Sequence, residues 1–256
     1  MRSEPLGRRL FAEFLGTGLL VAAVVGSGIA AARLSPGNVG LELLENTAAT
    51  VGALVALILA LGPVSGAHFN PVVTLADRFF GGISGRDAAG YIGAQVAGAL
   101  GGALLANAMF ALPTFEASLK TRSSGPLWLA EVVATFGLLV VIFGVVRSGR
   151  SSAAPFAVGA YIGGAYFFTS STSFANPAVT IGRTITNTFA GIRPSSAPAF
   201  IVAQVVGGAL AVGAIRVLYP RMADSASDVV LPHEGPDAAS EGSGDESRSH
   251  SQGVSP

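Results

Sequence analysis

Two segments of this chain hold the groups best placed to do chemistry. They are Ser65-Gly66-Ala67-His68-Phe69-Asn70-Pro71-Val72-Val73-Thr74 and Ser173-Phe174-Ala175-Asn176-Pro177-Ala178-Val179-Thr180, which share Asn-Pro-x-Val-Thr and lie in opposite halves of a very apolar sequence. An Asn side chain accepts from free backbone N–H groups at a helix start, and Pro suits the first helical position, so each box reads as a helix N-terminus. The other candidates for chemistry are ionisable groups inside apolar runs, Glu13, Glu131 and His68. Such groups are functional hypotheses by default. A membrane enzyme needs a convergent acid, base or nucleophile cluster. No acid or Ser is spaced to partner His68, and there is no Cys, so thiolate metal sites and thiol nucleophiles are excluded. No cofactor, metal or nucleic-acid partner is expected.

The elements that must position these groups are membrane helices. Half of the 256 residues are hydrophobic and only 12% are charged. Six stretches approach spanning length: Arg8 to Leu34, Leu41 to Gly62, Arg86 to Leu112, Pro126 to Arg147, Ser152 to Ser171 and Pro198 to Tyr219. The helices begun by Pro71 and Pro177 are expected to end near Phe80 and Thr188. At 1.5 Å per residue each is roughly 15 to 18 Å long, about half of the roughly 30 Å hydrocarbon layer. With the N-terminus inside, the inner loops and ends hold nine Arg up to residue 221 and the outer side five Lys or Arg, which favours cytoplasmic termini. From residue 221 the chain turns to Ser, Gly and acids, including His233 and His250. Residues 221–256 therefore read as a disordered cytoplasmic tail, and 1–220 as one domain.

The repeat extends beyond the boxes. Ala12-Glu13 with Thr17 corresponds to Ala130-Glu131 with Thr135, and Ala94-Gln95-Val96 with Gly98 to Ala203-Gln204-Val205 with Gly207. Three spans per half force the second half to enter the membrane from the opposite side, so the repeats are inverted. If both short helices are re-entrant, their N-termini meet near the midplane. Non-helical backbone at that depth must line a cavity or be covered by protein, and two facing interruptions point to a transport path.

These landmarks resemble the major intrinsic protein, or aquaporin, family over about residues 8 to 220. The resemblance implies an all-α membrane protein: a right-handed bundle of six transmembrane helices plus two re-entrant half-helices, one path per subunit, and a homotetramer. It implies that Asn70, Pro71, Val72, Asn176, Pro177 and Ala178 form the pore midplane. There the Asn side chains would donate to a permeating molecule while both half-helix dipoles repel cations. It also implies that Glu13 and Glu131 accept backbone N–H groups of the loops before the half-helices, with Gln95, Gln204 and His68 bracing the same loops.

The chain departs from the family's usual pattern at two places. Most members have Arg after the second Asn-Pro-Ala, and here that residue is Val179. Spacing carries the other filter positions to Thr50, with Ala49 as the alternative, to Gly164 and to Ser173. This set reads as wide, uncharged and mildly polar, with Arg183 either reaching the outer mouth or facing protein or headgroups. Val72 replaces the usual Ala of the first box, altering packing at the tips or narrowing the midplane. The combination resembles bacterial aquaglyceroporin-like channels found with arsenic-resistance genes, which implies arsenous acid as cargo, with glycerol or another small polyol next. A water-selective aquaporin and an ion-coupled transporter are the competing readings. The resemblance places the chain in the cell inner (plasma) membrane.

Overall fold

A computed structural model describes residues 4–220, and these are all helix, turn and loop. Eight α-helices follow one another: α1 (Leu6–Leu34), α2 (Val39–Ser65), α3 (Pro71–Phe80), α4 (Gly85–Met109), α5 (Gly125–Arg147), α6 (Ala154–Phe168), α7 (Pro177–Gly182) and α8 (Ala197–Leu218). Among the described residues five helical segments, α1, α2, α4, α5 and Pro194–Leu218, are long and apolar enough to cross a membrane. The remaining long helix, α6, has 15 residues, extended at its start by a single 3₁₀ turn, Ser151–Ala153. It stops short of Ser171 because Thr169 turns extended, its hydroxyl bonding back to the Ala165 carbonyl. The tail expected from residue 221 lies outside the described residues.

The polarity of the molecule is that of a membrane protein. Phe11, Phe14, Leu129 and Val202 face outward, whereas Glu13, Gln95, Glu131 and Gln204 are wholly buried. Lipid tails supply no hydrophobic drive between helices, so the bundle depends on close backbone contact and interhelical hydrogen bonds. Glycine provides the contact at repeat-related positions. A β-carbon on Gly98 of α4 would stand 2.2 Å from the Phe14 carbonyl oxygen of α1, and one on Gly207 of α8 would stand 2.4 Å from that of Val132 in α5. Gly101 and Gly213, on the same two helices, face open space.

The half-helices α3 and α7 fill the space between these pairs, each packing against both α4 and α8. α3 ends at Phe80, capped by Gly81 in the left-handed conformation. α7 is shorter than the expected run to Thr188, tightening into a 3₁₀ turn at Arg183–Ile185. The reason lies in the α4–α5 connection: its Ser118 and Glu116 N–H groups take the Thr184 and Ile185 carbonyls, and the Ile192 N–H takes that of Arg183. These contacts replace the bonds a longer helix would make.

Candidate functional site

Glu13 on α1 and Glu131 on α5 each hold the loop that leads into a half-helix. Glu13 accepts from the Ser65 hydroxyl (2.6 Å), the His68 N–H (3.0 Å), the Phe69 N–H (2.7 Å) and Gln95 Nε2 (2.8 Å). Glu131 accepts from the Phe174 N–H (2.9 Å), the Ala175 N–H (2.9 Å) and Gln204 Nε2 (2.6 Å). The two glutamines donate onward to Thr74 and Thr180, whose hydroxyls bond back to the Asn70 and Asn176 carbonyls. A carboxylate accepting only donors is a strong clamp, since bonds to a charged acceptor are worth roughly twice neutral ones.

The clamp has something to restrain. Ala67 and Phe69 in the first loop, and Ser173 and Ala175 in the second, have φ between 47° and 50°. This left-handed region is unfavourable for residues with a β-carbon and persists where surroundings over-determine it. The resulting zigzag brings Ala67, His68, Ser173 and Phe174 to one central cavity.

Asn70 and Asn176 cap α3 and α7 through Oδ1, which accepts from Val72 N–H in the first case and from Ala178 and Val179 N–H in the second. Their amide nitrogens cross to the opposite loop: Asn70 Nδ2 donates to the Ala175 carbonyl at 2.8 Å, Asn176 Nδ2 to that of Phe69 at 2.7 Å. Each Nδ2 carries two hydrogens, and both Asn side chains line the same cavity. Pro71 and Pro177 occupy the first helical positions behind them. The positive ends of two helix dipoles therefore converge at one point.

The cavity runs between α1, α2, α5 and α6 and is mostly apolar, with Leu20, Ile58, Leu138 and Ile162 among its walls. Its volume is about 70 Å³. At about 15 Å³ of such space per water it has room for roughly five waters.

Beyond the second box, Thr50, Ser173, Val179 and Arg183 line the cavity. Gly164 does not: it sits on the exposed outward face of α6, with nothing where its β-carbon would be. The inward face of α6 is Val158, Ile162 and Tyr166, at four-residue spacing, and the Tyr166 hydroxyl stands 3.3 Å from Thr50 Oγ1. Ser173 Oγ is buried with no partner among the described residues. Val72, the other departure, points away from the cavity. Its Cγ1 fills the spot where a β-carbon on Gly208 would be, 2.3 Å away, so the valine is accommodated by the missing side chain on α8. Ala178 is fully buried.

The two ends of the cavity differ in their polar groups. Asp77 and Arg183 both follow their Asn by seven residues. Asp77 Oδ2 lies 3.6 Å from His68 Nε2, so an acid does stand beside this histidine, contrary to the expectation from spacing; His68 Nδ1 meets Thr74 Oγ1 at 3.1 Å. At the other end the Arg183 guanidinium lies 3.3 Å over the Phe174 ring, with Nε donating to the Ala190 carbonyl. Arg122 stacks on the same ring at 5.1 Å and donates from Nε to the Gly191 carbonyl at 3.0 Å. Lys120 Nζ donates to the Phe189 carbonyl at 2.8 Å. Partial burial, and then the charges of Arg122 and Arg183, push the Lys120 pKa down to about 8. Sequence reasoning missed Tyr166, Phe174, Asp77, Lys120 and Arg122; the four-residue spacing in α6 was the available signal for the first.

Comparison with known proteins adds a family to this geometry. The profile of the family described as Major intrinsic protein matches residues 1–173 and 152–241. The chain is 51% identical to the aquaglyceroporin AqpS of Rhizobium meliloti (strain 1021), over 85% of this chain and 93% of that one. It is 34% identical to the glycerol uptake facilitator protein of Pseudomonas aeruginosa, over 84% and 90% of the two chains. Among solved structures, the aquaglyceroporin from Plasmodium falciparum superposes with a TM-score of 0.61 at 21% identity, covering 85% of this chain and 99% of its own.

Proposed function

This chain belongs to the major intrinsic protein family, whose members are channels and not enzymes, and on that premise we propose how its path works. Small uncharged solutes cross passively, glycerol-type polyols and arsenous acid among them, with water by the same path. The carrying observation is the meeting of α3 and α7: Asn70 and Asn176 bring amide donors to one cavity at two converging positive helix ends. A hydroxyl oxygen gains a hydrogen bond there, while a cation meets two positive helix ends in an apolar tube. Arsenous acid suits the path because it is uncharged at neutral pH and presents three hydroxyls, as glycerol does.

Thr50, Tyr166, Ser173, Val179 and Arg183 form the selectivity filter in this reading. The Ser173 hydroxyl and the Arg183 guanidinium serve the solute's hydroxyls, and Val179 sets the width opposite Tyr166. Glu13, Glu131, Gln95, Gln204 and His68 hold the two loops. Water selectivity is the second reading, supported by the Tyr166 ring and the Arg183 charge at one constriction. The channel sits in the inner membrane with both termini cytoplasmic, a placement supported by the Lys and Arg bias, and assembles as a homotetramer as the family resemblance implies.

Stopped-flow permeation of the full chain in liposomes tests this, with water, glycerol, arsenous acid and K⁺ compared. Fast glycerol and arsenous acid entry that is linear in concentration and needs no ion gradient is expected, with K⁺ excluded. Water entry alone selects the second reading. Saturation at low solute concentration together with dependence on an ion gradient overturns both.

A further inference from the structure

Lys120, Arg122 and Arg183 hold three successive backbone carbonyls, those of Phe189, Ala190 and Gly191, and each lies over an aromatic ring. None of the three takes part in an ion pair among the described residues, where the close pairs are Arg8–Glu4, Arg9–Asp87 and His68–Asp77. The acids nearest in effect are already engaged: Glu131 by backbone N–H groups and Gln204, Glu42 by the Gly37 N–H. Arg183 is buried, only 3% exposed, yet lines the cavity. Each arginine commits Nε to a carbonyl, and no described hydrogen bond engages its Nη groups. Three cations are therefore fixed at one mouth of the path without a counter-charge.

Fixed cations normally exact a cost in mutual repulsion, and the charges of Arg122 and Arg183 add, after burial, to the lowering of the Lys120 pKa. A tetrahedral oxyanion relieves that repulsion, and guanidinium forks match its geometry with paired N–H donors. We propose that this mouth is a binding site for a small oxyanion, held by the Nη groups of Arg183 and Arg122 with Lys120 alongside, and that the bound anion closes the path. The anion cannot continue inward, because the cavity beyond Arg183 is mostly apolar and an unpaired charge there is expensive. The closure rests on the channel reading given above; the binding does not.

The test uses sulfate against chloride at matched ionic strength. Calorimetry or thermal shift on the full chain in detergent is expected to show saturable sulfate binding, and Arg122→Gln to weaken it about tenfold, the scale for losing a charged hydrogen-bonded pair. Lys120→Gln weakens it less, and serves as the second variant if Arg122→Gln melts early in chloride. In liposomes, sulfate on the Arg183 side is expected to lower glycerol entry in proportion to occupancy. No sulfate-specific binding, or equal binding in both variants, overturns the site. Binding with unchanged glycerol entry overturns the closure, whereas absent glycerol entry without sulfate counts against the channel reading alone.

Discussion

Replacing Glu131 with Gln keeps the shape of the clamp while changing one acceptor into a donor. If the new oxygen stays on the Phe174 N–H, the new NH₂ faces the Ala175 N–H and Gln204 Nε2. Gln204 has a partial remedy, because its unpartnered Oε1 can be presented by rotating the amide, which gives up the bond to Thr180. Ala175 has none. Its N–H becomes a buried donor facing a donor, costing about 1–3 kcal/mol, and the surviving bonds lose charge assistance worth roughly 1 kcal/mol each. The sum is about 3–5 kcal/mol, which for a chain of this size lowers the melting temperature on the order of 10 °C. Ala175 and Ser173 are then free to leave the left-handed conformation, and the Ala175 carbonyl that receives Asn70 moves with them. Trp128, the only tryptophan, sits one turn before Glu131 on α5 and reports the melt by fluorescence in detergent. Glycerol entry into liposomes should fall with it. Glu13→Gln should be the more damaging, since four donors converge on Glu13. A Glu131→Gln protein with wild-type melting and wild-type flux would refute the clamp.

Other perturbations separate packing from permeation. Gly208→Ala drives a methyl into Val72 and should destabilise by about 1–3 kcal/mol, while Val72→Ala in the same chain should recover most of it, a coupling read by a double-mutant melting cycle. Gly164→Ala should leave glycerol entry unchanged, because that position faces outward, whereas Tyr166→Ala should speed it severalfold; the reverse outcome restores Gly164 to the filter. Val179→Arg sets a second guanidinium a turn from Arg183 and should stop glycerol while sparing water, as liposome swelling will record. Lys120 loses its charge as pH rises through about 8, whereas an unfolded lysine keeps it to about 10.5. Between these values the unfolded chain binds more protons, so stability should rise with pH. Sulfate binding should weaken over the same lower edge, and Lys120→Gln should abolish both trends.

The parts legible in the sequence were those set by local rules or repeated. Asn before Pro starts a helix wherever it occurs, so the starts of α3 and α7 were readable. The repeat paired Glu13 with Glu131 and Gln95 with Gln204 before any contact was known. What failed was register carried across a loop. Gly164 was reached by counting back from Asn176, but the chain between them bends at Thr169 and passes through left-handed Thr172, Ser173 and Ala175, so the count does not preserve helix face. The end of α7 was illegible because residues 116–118, far away in sequence, take the carbonyls of the turn that follows it. The direction of Val72 depended on an absent side chain at Gly208, and only a folded neighbour reveals which gap a residue fills.

The reciprocal ties from Asn70 to Ala175 and from Asn176 to Phe69 mean that neither half of the chain owns a finished centre. A polypeptide stopping after α4 would have a clamp, a cap and an amide with nothing to receive it. Only an upside-down companion could supply the acceptor. The protein is in this sense an antiparallel dimer made continuous by the 110–124 connection, and continuity frees the two members from being identical. Two identical copies would have to present the same residue at both openings. The fused chain instead keeps Asp77 beside His68 at one and Arg183 on Phe174 at the other, so its two openings differ in chemistry as no symmetric pair of halves could.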